Sequence, residues 1–379
     1  MKIEKTKFYS WKIGNLAKGC QLCVRGEKLV LFITGLCSNN CFYCPISDKK
    51  KNKDVIYANE WPIKKEKEIL EEARLCDAKG AGITGGDPLI KLERTVKFIK
   101  LLKKTFGKAF HLHLYTPAKL LTAPKLNKLY NVGLDEIRYH LDPDKKQEWK
   151  KILLAKKYKW KIGVEIPAIP NKEKNIKQMI DFLDGKIDFL NINELEISDN
   201  NANQLLEKGY QTKDSVSYGI KGSDELAKRL LRYCAKKKVK FAVHYCTCTL
   251  KDKVQLAKRI KRRAKNVAKK FDVITEDGML FRGAIYDKVI PGFDYNNKIK
   301  KVKDKQKIIH KLNKASIALR GKNKIPASLF QVDQEHLRIL TSARIVEELA
   351  SEIKKLKLKP ALITEYPTYD LLIVELDFL

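Results

Sequence analysis

Between Lys28 and His244 the chain repeats one pattern, a short apolar run followed by a stretch with helical spacing. The strand-like runs lie at Lys28–Thr34, Gly80–Thr84, His111–Tyr115, Glu136–Leu141, Lys161–Ile166, Phe189–Ile197 and Val239–His244. Helical spacing is predicted at Glu66–Ala78, Leu92–Lys104, after Pro117, and at Asp144–Lys156, Lys174–Leu183 and Asp224–Lys236. Strands alternating with helices over roughly 200 residues predict a parallel sheet with crossover helices. Pro167 and Pro170 are expected to stop the fifth strand. In such a sheet the chemistry sits at the carboxyl ends of the strands. Cys37, Gly85, Thr116, His140 and Pro167 all lie there.

The first of these ends is Thr34-Gly35-Leu36-Cys37-Ser38-Asn39-Asn40-Cys41-Phe42-Tyr43-Cys44. Its three cysteines are separated by three and then two residues, and Asn39-Asn40 lets the loop curl. Four-iron clusters take four cysteine thiolates. Three close cysteines suggest a cube with one iron left for a ligand that is not protein; a zinc knuckle or a set of free thiols is the alternative. The second strand ends in Thr84-Gly85-Gly86-Asp87-Pro88, where a glycine pair lets backbone approach a ligand and the acid presents acceptors to an ammonium.

The two motifs together resemble the radical S-adenosylmethionine (SAM) superfamily, and the chain is similar to archaeal-type members related to pyruvate formate-lyase activating enzymes. The resemblance covers about residues 28–245. It implies a partial parallel (β/α)6-type barrel. It also implies a [4Fe-4S] cluster on Cys37, Cys41 and Cys44, whose open iron is chelated by SAM, and reductive cleavage of SAM to methionine and a 5'-deoxyadenosyl radical. Tyr43 would lie against the adenine, and Gly85, Gly86 and Asp87 would bind the SAM amino group, with Asp87 standing where the family commonly has Glu. Thr116 would help hold SAM. Arg138 and His140 share a strand face, and either would reach the SAM carboxylate or ribose. Glu165 would bond the ribose hydroxyls. Glu194 and Glu196 also share a face, which the sequence does not orient. A reductant such as ferredoxin is the implied electron source. No cobalamin-binding Asp-x-His-x-x-Gly is present.

Nine cysteines in a chain that starts without the apolar core of a signal peptide point to a cytoplasmic protein and to metal or redox work rather than disulfides. Cys76 and Cys234 lie in amphipathic patterns and read as small core hydrophobes. Cys20 and Cys23, in a Gly19-Cys20-Gln21-Leu22-Cys23 knuckle before the first strand, and Cys246 and Cys248, after the last, make four thiolates. Such a set suits an auxiliary [4Fe-4S] cluster or zinc. His244 is an alternative ligand.

The charge balance, 78 Lys and Arg against 45 Asp and Glu, gives a formal net charge of +33. Such a surplus attracts phosphate backbones; a solvated basic surface is the other reading. Residues 1–27 read as a lead-in, 28–249 as the partial barrel, and 250–379 as a basic helix plus a smaller C-terminal α+β domain, for which a ferredoxin-like arrangement is one option. In the last part, Lys251–Lys270 is a helical pattern crowded with cations and suited to gripping phosphates, and Lys298–Lys314 reads as a basic linker. The expected function is a radical SAM enzyme modifying structured RNA (tRNA or rRNA). The alternatives are a radical SAM activase or maturase acting on a protein, peptide or metabolite, and a non-catalytic metal-stabilised RNA-binding protein. No stretch is long and apolar enough to suggest a membrane span.

Overall fold

A computed structural model describes residues 1–214, 217–292 and 294–379. Ser215 and Val216, between the strand run ending at Ile197 and the helical pattern starting at Asp224, and Phe293 lie outside it. The chain forms two compact units, Met1–Arg259 and Ile260–Leu379.

In the first unit the elements are β1 (Glu4–Lys5), β2 (Trp11–Ile13), α1 (Lys18–Val24), β3 (Lys28–Phe32), β4 (Tyr57–Ala58), β5 (Trp61–Pro62), α2 (Glu66–Leu75), β6 (Gly80–Thr84), α3 (Leu92–Phe106), β7 (His111–Pro117), α4 (Ala123–Asn131), β8 (Glu136–His140), α5 (Lys146–Trp149), β9 (Lys161–Ala168), α6 (Glu173–Leu183), β10 (Phe189–Glu194), α7 (Ala202–Glu207), α8 (Ser223–Lys237), β11 (Ala242–Cys246) and α9 (Cys248–Leu250). One mixed sheet runs β1-β2-β11-β10-β9-β8-β7-β6-β3-β4-β5. From β3 to β11 the neighbours are parallel, and β2 and β4 close the two edges antiparallel. Each crossover leads to the adjacent strand, so all the parallel strands point their carboxyl ends the same way. Among the described residues seven strands are parallel, one more than a six-stranded barrel holds.

Alternation along the strands sorts the residues. Leu112, Leu114, Ile137, Tyr139, Val164, Ile166, Leu190 and Ile192 join the main apolar core. The residues between them, among them His113, Tyr115, Arg138, Glu165 and Asn191, carry polar groups on the other face.

The first 27 residues are more ordered than a lead-in. Trp11–Ile13 pairs with β11, and the Cys20–Cys23 stretch is helix α1 rather than a knuckle. α1 packs directly on the polar face: a Cβ on Gly19 would meet Arg138 Nη2 at 2.5 Å and His113 Nδ1 at 2.8 Å. Only glycine permits that approach.

Two other expectations are corrected. β9 runs on through Pro167 to Ala168, because β8 ends its pairing at Val164 and only the β10 edge remains to be satisfied there. The last parallel strand is shifted toward the C-terminus, so Cys246 is its final residue rather than part of the following loop.

The chain continues through a short π-helical stretch (Lys251–Leu256) into α10 (Ala257–Val267), where the division between the units falls. The second unit adds β12 (Val273–Ile274), β13 (Leu280–Tyr286), α11 (Tyr295–Lys301), α12 (Lys305–Asn323), β14 (Gln331–Asp333), β15 (Arg338–Thr341), α13 (Ala343–Glu348), α14 (Ala350–Lys355), β16 (Lys359–Glu365) and β17 (Ile373–Phe378). Its sheet order β14-β15-β13-β16-β17, antiparallel throughout, contains the split βαβ arrangement of a ferredoxin-like unit. The stretch expected as a basic linker is helical. Asp304 caps α12 by accepting from Lys307 N at 3.0 Å, and Leu312, Ala315 and Leu319 recur on one buried face beneath the lysines.

Candidate functional site

The cysteine loop leaves β3 and lies against the loop after β6. Gly86 N–H donates to Thr34 O at 2.7 Å and Asp87 N–H to Leu36 O at 2.8 Å. A Cβ on Gly86 would sit 2.2 Å from Leu36 O, so the glycine is required by this backbone seam. The seam opens onto a cavity of about 360 Å³. Cys37, Cys41 and Cys44 line it together with Tyr43, Gly85, Gly86, Thr116, His140 and Glu165. The ends of five parallel strands thus reach one space.

Burial raises the Cys37 thiol and pushes the Cys41 thiol up to about 11. Thiols in such surroundings keep their protons until a metal displaces them. Among the described residues no three His, Cys, Asp or Glu side chains close tightly enough to hold a single metal ion. Three thiols lining one cavity supply three of the four ligands that a four-iron cluster takes. No fourth cysteine is among the lining residues, which leaves a coordination position for a small molecule. The donor set therefore fits a [4Fe-4S] cluster with an open iron, and the polar wall beside it fits SAM.

Tyr43 OH and His140 Nε2 are 2.9 Å apart, and His140 Nδ1 lies 3.0 Å from Glu165 O. Burial lowers the His140 imidazole, so it is neutral near pH 7 and acts as a dipole rather than a cation. Burial pushes the Glu165 carboxyl up, but Arg138 and the amides of Asn191 and Asn193 outweigh it and hold it down at about 2. The hydrogen bonds are Arg138 Nη1 at 2.9 Å, Asn191 Nδ2 at 2.8 Å and Asn193 Nδ2 at 3.1 Å. Glu165 thus meets the cavity as a fixed carboxylate acceptor.

Asp87 and Arg138 take other places than expected. Asp87 is fully buried and is not among the cavity's lining residues. It accepts from Leu89 N (3.0 Å), Thr116 Oγ1 (2.8 Å) and Ser38 Oγ (3.3 Å), tying the loops after β3 and β6 to the end of β7. Its carboxyl is raised, with burial the largest cause. The glycines in front of it face the cavity in its stead. Arg138 lies beneath the wall: its guanidinium bonds Glu136 (2.6 Å), Glu165 and Tyr115 OH (2.9 Å each).

Glu194 and Glu196 both face the cavity, with Leu195 and Lys251. Glu194 is ion-paired to Lys213 and accepts from Cys248 N at 2.9 Å; Glu196 pairs with Lys251 at 3.0 Å. Sequence reasoning missed Asn193 and Lys251. The Asn191-x-Asn193-x-x-Glu196 polar run at a strand end was a signal for the first; nothing separates Lys251 from the cations around it.

The phosphate-gripping helix is not supported, because several of its cations are used inside the protein. Lys251 is held by Glu196, and Arg259 makes a two-pronged pair with Glu60 (2.8 and 2.6 Å). Lys258 Nζ donates to Val24 O at 3.1 Å, and Arg263 donates to Pro367 O. Cys76 and Cys234 are both buried core residues, and the Cys76 thiol also donates to Glu72 at 3.1 Å. No helix among the described residues is long and apolar enough to cross a membrane.

The sequence model of the Radical SAM superfamily matches residues 31–183. A Methanocaldococcus jannaschii protein with the provisional name glycyl-radical enzyme activating enzyme is 42% identical over 98% of this chain and 95% of its own length. Among solved structures, SuiB of Streptococcus suis aligns at 14% identity and TM-score 0.40 over 60% of this chain and 52% of that one. TsrM of Kitasatospora setae, a radical SAM methyltransferase, aligns at 9% and 0.37 over 54% and 45%. The chain thus spans about half the length of those two proteins. The cysteine loop, the matching family model and the near full-length relative agree, and the chain belongs to the radical SAM superfamily.

Proposed function

We propose that this radical SAM enzyme is an activase that leaves a radical on a glycine residue of a partner protein. The observation that carries this reading is the near full-length relative and its name. When bound, the family's [4Fe-4S] cluster supplies the electron that splits SAM and yields a hydrogen-abstracting radical. The chain's own residues have three tasks. Cys37, Cys41 and Cys44 hold the cluster. Gly85 and Gly86 admit the SAM amino end to backbone acceptors, while Asp87 fixes the loop that carries them. Glu165, Thr116 and the Tyr43–His140 pair line the remaining wall and orient the nucleoside. A polypeptide loop enters along the wall lined by Glu194, Leu195, Glu196 and Lys251.

RNA modification, the expectation drawn from charge, has less support. The surplus is spread through the chain, with 53 Lys and Arg against 30 Asp and Glu in Met1–Arg259 and 25 against 15 in Ile260–Leu379. One region favours a polyanionic surface of some kind: Lys298–Lys324 carries eleven of those cations and one acid, the whole surplus of the second unit. Under the activase reading it meets an acidic protein face.

The chain, reconstituted without oxygen and reduced with dithionite in the presence of SAM, should release 5'-deoxyadenosine. Cys37→Ala should reduce that to background. In cells, deleting the gene should remove a glycyl-radical doublet from the electron paramagnetic resonance (EPR) spectrum and leave tRNA and rRNA nucleosides unchanged. Altered nucleosides with an intact doublet would overturn the activase reading.

A further inference from the structure

We infer that Cys20, Cys23, Cys246 and Cys248 form a second thiolate site, which holds an iron-sulfur cluster beneath the SAM cavity. The four come from two places more than two hundred residues apart in the chain: α1, and the end of β11 with the turn after it. Two features of the fold bring them together. α1 lies on the polar face of the sheet, where the Cys20 sulfur accepts from Asn191 Nδ2 at 3.2 Å and Arg138 Nη2 at 3.5 Å. β11 pairs with β10 so that His244 sits beside Asn191 and Cys246 beside Asn193. Asn191 and Asn193 share a face and both bond Glu165, which places Cys246 on the same side of the sheet as Cys20. Val24 of α1 packs in one apolar cluster with Cys246 and Leu250, and between these two the Cys248 thiol lies 3.6 Å from Glu196. All four cysteines are free.

The surrounding charges favour a negatively charged occupant. Arg138 faces the Cys20 sulfur, and Lys28 lies within reach of Cys23 and Cys20. Arg138 is matched by Glu136 and Glu165, and Lys251 by Glu196. Among the described residues no carboxylate lies within ion-pair distance of the half-buried Lys28. Its ammonium lies 6.0 Å from the centre of the Tyr115 ring, and a cation inside a protein without an anion beside it is costly. Thiolates around a cluster carry net negative charge and would relieve it. Four thiolates are the ligand set that a four-iron cluster takes. The inference is independent of which substrate the enzyme acts on.

The test compares three full-length chains, purified without oxygen and reconstituted with ferrous iron and sulfide. They are the natural sequence, the Cys37→Ala/Cys41→Ala/Cys44→Ala variant, and the Cys20→Ser/Cys23→Ser/Cys246→Ser/Cys248→Ser variant. Iron and acid-labile sulfide should come to about eight per natural chain and about four in each variant, as two four-iron clusters require. The Cys37/Cys41/Cys44 variant should keep a reduced EPR signal that ignores added SAM; the other should keep one that SAM alters. That second signal also shows that the serine variant is folded. Loss of all iron from the Cys37/Cys41/Cys44 variant would overturn the inference, as would one zinc per chain or a Cys20–Cys246 disulfide in its place.

Discussion

Arg138 in the first unit and Arg338 in the second are both almost completely buried, and the two are used differently. Arg338, fully buried in the second unit, closes on Glu365 with two parallel bonds (2.8 and 3.1 Å) and on Asp333 with a third (2.9 Å). Arg282 also donates to Glu365 at 3.1 Å. That network spends its donors on carboxylates and braces a sheet. Arg138, 2% exposed, gives only part of its fork to carboxylates. The rest goes to Tyr115, on the cavity wall, and to the sulfur of Cys20. The same side chain supports packing in one unit and positions cavity-lining groups in the other. The distinction lies in what its partners touch.

Removing each guanidinium is the strongest way to break this comparison. Arg138→Ala and Arg338→Ala each strand buried carboxylates and should cost about 3–5 kcal/mol in denaturant unfolding. Only Arg138→Ala should also abolish 5'-deoxyadenosine formation in the folded fraction. An inactive but folded Arg338→Ala chain would erase the distinction.

Glu165→Gln is a gentler probe. It keeps the shape and removes the charge, and SAM binding measured by calorimetry should weaken about tenfold, roughly 1.4 kcal/mol. The same variant sharpens the pH behaviour. Glu165 ionises lower in the folded chain than in the unfolded one, so its contribution to stability is present above the ordinary carboxylate range. It is lost as pH falls toward 2. The acid limb of the stability curve should therefore be shallower in Glu165→Gln than in the natural chain.

Thr116→Val should have the smallest effect. It deletes one donor to buried Asp87 and should cost about 1 kcal/mol in unfolding, with SAM cleavage reduced only severalfold.

Much of this is legible in the amino-acid sequence. The strand–helix alternation predicted the order of elements from β3 to β11, and the errors were mostly at ends: β9 outran its proline, and β11 slid toward the C-terminus until it included Cys246. α12 was hidden because lysines interrupt its apolar stripe, although Leu312, Ala315 and Leu319 keep helical spacing. The exposed and the consumed cations of Lys251–Lys270 looked alike in sequence. Whether one of these cations is free depends on a partner such as Glu60 for Arg259 or Glu196 for Lys251, contributed by a distant segment.

The amino-acid order by itself determined the family, the three-cysteine loop and the glycine pair, because these act within a few consecutive residues and local backbone geometry suffices to present them. Tertiary structure alone decided that Asp87 braces rather than lines the cavity, that Glu194 and Glu196 face inward, and that α1 brings Cys20 to Arg138. Those outcomes depend on sheet register and on which face a helix covers, and both are set by packing between segments far apart in the chain.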